Sequence, residues 1–265
     1  MDDVAPPEFE TLTVAVDGRI GRLTLNRPAK LNPLSTRCLD ELAAAAGWFD
    51  ALDDVRVVVV TGAGRAFSAG ADLAGFTGPG ERSLRAGADA GRLMVESIEG
   101  MRAVTIAAIH GHCIGGGVLL AMACDLRIAA ASTSFAIPEV DLGIPLTWGG
   151  IPRLVREIGP AATRDLVLSC RPFSAAEAHG LGMVGRVAVD VRLEQEVEAL
   201  AEALATKSEY TLRATLDAVD AAAEALVPTN GAWADADQFV TAMHDPESRE
   251  VAGRYLAERA RSSDR

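Results

Sequence analysis

The stretch HGHCIGGGVLLAMACDLRIA, residues 110–129, changes its pattern twice within a short span. Just upstream, VTIAAI (104–109) is a continuous apolar run of strand length, bounded by the turn that ends in Gly115-Gly116-Gly117. From Val118 the spacing becomes helical, and LRIAA (126–130) is strand-like again. Strand, glycine-rich turn, helix, strand is the building pattern of an α/β fold. Glycine at such a turn permits positive φ and lets a ligand approach the main chain. The helix that follows offers unpaired N–H groups, which attract negative charge. Leu119, three residues beyond Gly116, lies one helical turn along the same face and is chemically inert.

The pattern extends in both directions. VVVVT (57–61) reads as a strand buried on both faces. TLTVAV (11–16) and GRLTLN (21–26) flank Asp17-Gly18, a hairpin signal. Ser35 can cap a helix with the apolar stripe Leu39, Leu42, Ala46 and Phe49. After about Asp190 the chain turns helical. Val197, Leu200, Ala201 and Leu204 form one stripe; Leu212, Leu216, Val219, Ala223 and Leu226 form another. The last helix carries Val251, Ala252, Tyr255 and Leu256. The pattern divides the chain into an α/β core over 1–190 and a helical region over 191–265, whose apolar faces would dock on the core or on a neighbouring subunit. The polar, glycine-rich segment 76–91 reads as a mobile flap.

A chain of 265 residues can bury a sizeable core. Its formal charge of −12 argues against nucleic-acid or anionic-membrane partners. The N-terminal MDDVAPPEFE lacks the apolar centre of a signal peptide. No apolar run approaches the roughly 18 residues that cross a bilayer. Cys38, Cys113, Cys124 and Cys170 are scattered without CxxC spacing, which suits reduced thiols in the cytoplasm.

Other glycine signals lead elsewhere and fail. Gly62-x-Gly64 follows a buried strand as in a dinucleotide fold, but Phe67 occupies the place of the third glycine. No lysine follows any cluster in phosphate-loop spacing. Ser68, in Ala66-Phe67-Ser68-Ala69-Gly70, is a nucleophile candidate if His110 or His112 stands beside it. The plainer reading makes Ser68 a turn residue and the histidines near-core groups. His110-x-His112 has no evident third partner for a metal.

In the blocks LNRPAKLNPLS (25–35), VVVVTGAGRAFSAGADL (57–73), AAIHGHCIGGGVLLAMACDLRIAA (107–130), FAIPEVDLGIPLTWGG (135–150) and RPFSAAEAHGLGMVGRV (171–187), the chain resembles the enoyl-CoA hydratase/isomerase (crotonase) family. The resemblance implies an α/β spiral core of repeated ββα units and a C-terminal helical region for trimer or hexamer assembly. It implies an acyl-coenzyme A thioester whose carbonyl oxygen sits between the N–H groups of Ala71 and Gly116. Ala69, Gly70, Asp72, Leu73 and Gly115 would shape that site. Arg27, Lys30 and Arg65 could meet the coenzyme A phosphates, and Trp148 could wall the acyl pocket. No metal or redox cofactor is implied.

Hydratases of this family carry a glutamate where this chain has Leu119. The other family acid matches Glu139, set among Ile137, Pro138 and Val140, so desolvation should raise its pKa. An acid used by some members eight residues further on is Thr147 here. Asp141 shares a side with Glu139 if the stretch alternates as a strand does; Asp72 more simply ties down its loop. Hydration divides its work between two carboxylates, whereas moving a double bond needs one base. The residues therefore favour isomerisation through an oxyanion-stabilised enolate. A non-catalytic acyl-CoA-binding protein and a thioester hydrolase using Ser68 are the competing readings.

Overall fold

The computed structural model describes residues 5–72, 81–229 and 232–263. In chain order, β1 (Leu12–Asp17) and β2 (Ile20–Leu25) precede α1 (Thr36–Asp50), β3 (Val57–Gly62) and α2 (Glu81–Glu99). Then come β4 (Val104–Ile109), β5 (His112–Ile114), α3 (Gly116–Met122), β6 (Leu126–Ala130) and β7 (Ser134–Ala136). They are followed by α4 (Gly150–Ser169), β8 (Phe173–Ser174), α5 (Ala175–Leu181) and β9 (Arg186–Ala188). The chain closes with α6 (Leu193–Ala205), α7 (Glu209–Leu226), α8 (Asp235–His244) and α9 (Pro246–Ser263).

Local chemistry accounts for the first elements. β1 and β2 pair antiparallel with Asp17 opposite Ile20, and Gly18 takes φ +57° in the turn between them. The Ser35 hydroxyl accepts from the Cys38 N–H at 3.3 Å and starts α1. Among the described residues the strands form two sheets, ordered β1-β2-β3-β4-β6-β9 and β5-β7-β8. From β2 onward the larger sheet is parallel. β4-β5-α3 gives one strand to each sheet before its helix, and β6-β7-α4 repeats the move. This is the expected ββα spiral.

The unbroken valine run of β3 is explained by what covers it. Val58 and Val60 face a core shared with Leu39, Leu42 and Phe49 of α1 and Met94 and Ile98 of α2. Val57 and Val59 face the other side with Ile106, Ala108 and Ile128, where α6 lays down Leu193, Val197 and Ala201. Both faces are dry, so alternation is absent. α8 buries Ala236 and Phe239 and packs along α2. α7 buries no residue; Val219 and Leu226 of its stripe stand 59% and 83% exposed. The four cysteines are free and buried.

The flap expected over 76–91 is corrected in part. Residues 81–91 open α2, with Leu84, Ala88 and Ala90 buried in the core, while 76–80 lie outside the described residues. Composition misled because Gly91 serves packing rather than mobility, as the site makes plain.

Candidate active site

Two turns meet at the C-terminal ends of β3 and β4. The Ile114 N–H donates to the Ser68 carbonyl at 3.0 Å, and Ser68 bridges Cys113 in parallel fashion. Gly70, at φ +89°, lies so close to Ile114 that a Cβ would stand 2.6 Å from its carbonyl oxygen. Glycine is therefore required for the turns to touch. The Leu34 N–H donates to Gly70 and the Asp72 N–H to Leu34, at 2.8 and 2.9 Å. In an extended segment these bonds leave the Ala71 N–H on the opposite edge. Gly116 is the first residue of α3, where no intrahelical acceptor exists for its N–H. Neither the Ala71 nor the Gly116 N–H has a hydrogen-bond partner among the described residues.

Ala71 and Gly116 line one cleft of about 420 Å³, part of it open to solvent. Glu139 lines it too, at 9% exposure. Its Oε2 is buried without a hydrogen-bond partner among the described residues, and Oε1 lies against Gly115. Gly115 has φ +49° and ψ −117°, a conformation that belongs to glycine. Burial pushes the Glu139 carboxyl up to about 7, with only a backbone hydrogen bond opposing it. Such a group can take or give a proton near neutral pH.

Apart from Thr147, the remaining wall is hydrocarbon. Leu119 is 2% exposed and packs against Gly150. Leu146, Ile144 and Trp148 follow from the segment after Glu139, and Phe239 arrives from α8. The Trp148 indole is wedged between α2 and the start of α3. A Cβ on Gly91 would fall 1.9 Å from the ring, and one on Gly116 would fall 2.5 Å from it.

Several sequence-based expectations need correction or placing. Asp141 does not share the face of Glu139. Residues 138–144 form turns, in which the Leu142 N–H donates to Pro138 and the Ile144 N–H to Glu139, and Asp141 is exposed. Asp72 ties its loop, pairing with Arg27 at 3.5 Å. Ala69 and Gly70 stand behind the cleft, with the Ala69 N–H donated to Leu31 at 2.8 Å. Lys30 and Arg65 are exposed on the neighbouring loops. Leu73 lies outside the described residues. Ser68 is wholly buried and donates its hydroxyl to the Asn32 carbonyl at 2.8 Å, while the His110 ring meets the Gly64 carbonyl at 3.1 Å. The plainer reading of Ser68 and His110 therefore holds. Among the described residues no group of three or more His, Cys, Asp or Glu side chains is set to hold a metal ion, and no helix is long and apolar enough to cross a membrane.

Sequence reasoning missed Asn32, Gly91, Asp235 and Phe239. Buried Asn32, at φ +53°, donates to the Ala63 and Ala66 carbonyls at 2.9 and 2.8 Å and accepts from the Arg27 N–H at 2.9 Å. It staples the loop that carries Ala71. An asparagine before a proline is a turn signal, so this one was within reach. The other three depend on long-range contacts that leave no local pattern.

The sequence model of the enoyl-CoA hydratase/isomerase family matches residues 16–262. A probable enoyl-CoA hydratase of Mycobacterium bovis is 35% identical over 255 residues, covering 95% of this chain and 97% of that protein. A peroxisomal Delta(3,5)-Delta(2,4)-dienoyl-CoA isomerase of Arabidopsis thaliana is 36% identical, covering 78% of this chain and 79% of that one. The crystal structure of an enoyl-CoA hydratase from Bacillus anthracis superimposes with a TM-score of 0.78 at 31% identity, covering 97% of each chain. Relatives named for hydration and for isomerisation thus resemble this chain in sequence over most of its length.

Proposed function

The chain belongs to the enoyl-CoA hydratase/isomerase family, whose members act on acyl-CoA thioesters, and we propose that within it this protein moves a carbon–carbon double bond rather than adding water across one. The thioester oxygen accepts from the Ala71 and Gly116 N–H groups. Glu139 removes a proton from the α-carbon of a 3-enoyl-CoA. The electron pair of that C–H bond spreads into a dienolate, whose charge collects on the oxygen between the two amides. Glu139 then returns the proton to the γ-carbon, leaving a 2-enoyl-CoA. Each preorganised donor in such a site is worth about 2.7–4 kcal/mol at the transition state.

The observation that carries this reading is the buried Glu139 Oε2, unpartnered among the described residues, in a cleft lined otherwise by hydrocarbon, Leu119 included, and by the non-titrating Thr147. Hydration needs one group to activate water and another to protonate carbon. Only Glu139 among the cleft residues titrates. No cofactor enters this scheme.

Assay with 2-enoyl- and 3-enoyl-CoA tests it. Isomerisation that is lost in Glu139→Gln supports the proposal. Rapid hydration by the unaltered protein overturns it, and binding without turnover of either substrate points to an acyl-CoA-binding protein. Arg27, Lys30 and Arg65 belong to the proposal as contacts for the coenzyme A phosphates. So do a cytoplasmic setting, which four free buried thiols suit, and a homotrimer or hexamer. The uncovered stripe of α7 supports assembly.

A further inference from the structure

The wall formed by Trp148 rests on backbone that does not hold itself. Trp148 and Gly149 both lie in the left-handed region, at φ +60° and +68°. A non-glycine residue there costs energy, and a bulky aromatic more than most. Such a conformation persists only where its surroundings over-determine it.

The surroundings grip Gly149 at both its N–H and its carbonyl. The Gly149 N–H donates to Asp235 Oδ2 at 2.8 Å. The Gly149 carbonyl accepts from Arg153 Nη1 at 3.1 Å. Arg153 is buried and its other Nη is held by Glu99 of α2. Asp235 opens α8, and Phe239 sits one turn further along the same face, lining the cleft. A single helix near the end of the chain therefore does two things. Phe239 supplies hydrocarbon, and Asp235 fixes the turn that aims the indole between Gly91 and Gly116.

We infer that Asp235 is a positioning residue of the acyl site, which through the Gly149 amide holds Trp148 as a wall against which the hydrocarbon of an aliphatic acyl group packs. The inference rests on the family's acyl-CoA substrate class and not on the direction of the chemistry. Losing the Asp235 acceptor frees the Gly149 N–H and lets the Trp148 turn relax toward ordinary φ. The indole then leaves its slot. The thioester oxygen keeps the Ala71 and Gly116 amides, whereas the acyl carbons beyond it lose their wall.

The test is binding of saturated acyl-CoAs, which need no turnover. Dissociation constants for octanoyl-CoA and acetyl-CoA are measured by calorimetry on wild type, Asp235→Ala and Asp235→Asn. In wild type octanoyl-CoA should bind more tightly. In Asp235→Ala that preference should fall at least fivefold, mainly through octanoyl-CoA. Asp235→Asn keeps an amide oxygen for the Gly149 N–H, so it should stay within twofold of wild type. Generalised destabilisation lowers the competent fraction for both ligands equally and leaves their ratio unchanged. If Asp235→Ala does not fold, Asp235→Glu, whose longer side chain misplaces the oxygen, is read in its place. An unchanged ratio in the Ala or Glu variant overturns the inference, as does an Asn variant that behaves like Ala. Failure of wild type to bind either thioester overturns the acyl-CoA reading itself.

Discussion

The carboxylate of Glu139 sits against the main chain of Gly115, so close that a Cβ on residue 115 would lie 2.4 Å from Oε1. The glycine that precedes the helix thus does more than open the turn. It makes the seat for the acid, one residue before the amide that faces the thioester oxygen in the proposed mechanism. Acid and donor are thereby fixed relative to each other by the same few backbone atoms.

Gly115→Ala should therefore damage catalysis although residue 115 itself transfers no proton. The new methyl displaces the carboxylate, and an L-residue at φ +49° and ψ −117° adds about 1–3 kcal/mol of backbone strain. A fall in kcat of at least tenfold together with a lowered Tm is the expected result. A wild-type kcat would show that Glu139 is not held where its work is done.

Titration of Glu139 gives two linked outcomes. Burial raises its carboxyl to about 7, so the base form fills as pH rises through that value, and kcat/KM should climb to a plateau above it. Stability should move the other way. Between the ordinary carboxylate range and pH 7 the folded state holds a proton that the unfolded chain has released, so folding weakens as pH rises across that window and levels off above it. Removing the charge with Glu139→Gln should recover about 3 kcal/mol at pH 8 and nothing near pH 4. Urea unfolding at the two pH values reads this directly.

Leu119→Glu restores a second carboxyl to the cleft. Leu119 is 2% exposed against Gly150, so the variant should be less stable by a few kcal/mol, roughly the cost of burying a polar group without partners. It should also gain hydration of 2-enoyl-CoA while losing isomerisation of 3-enoyl-CoA. Product analysis on both substrates decides; a variant with no new hydration would sink the role given to this position.

Gly91→Ala sets local propensity against packing. In an exposed helix interior the change would stabilise by about 1 kcal/mol. Here its Cβ falls 1.9 Å from the Trp148 ring, so the variant should instead be destabilised and its tryptophan emission shifted. A raised Tm would mean the indole is not lodged there.

Ser68→Ala separates structure from nucleophilic chemistry. Its buried hydroxyl bonds to the Asn32 carbonyl and accepts from the Gly70 N–H at 3.1 Å. Loss should cost about 1–3 kcal/mol of stability by leaving both groups unpaired, and leave turnover per folded molecule largely intact. Thioester hydrolysis that disappears with this serine would favour the hydrolase reading instead.

The sequence by itself determined the α/β order of the core, because strand and helix differ in hydrophobic period and β1, β2, α1, β3, β4, α3 and β6 each show their own. It also determined the two glycine turns, the helix start at Ser35 and the pairing of an inert Leu119 with an acidic Glu139, since these are matters of residue type and short spacing. It misjudged what depended on distant neighbours. Asp141 fell away from Glu139 because hydrogen bonds closed a turn where alternation suggested a strand. Residues 81–91 open a helix in spite of their glycines, and Gly91 among them is accounted for only by the Trp148 ring that packs on it from far along the chain. Only the tertiary structure brought Phe239 and Asp235 to the cleft, and only it left Glu139 Oε2 dry and unpaired. Burial and partnership are properties of what the rest of the chain places nearby, and no local pattern encodes them.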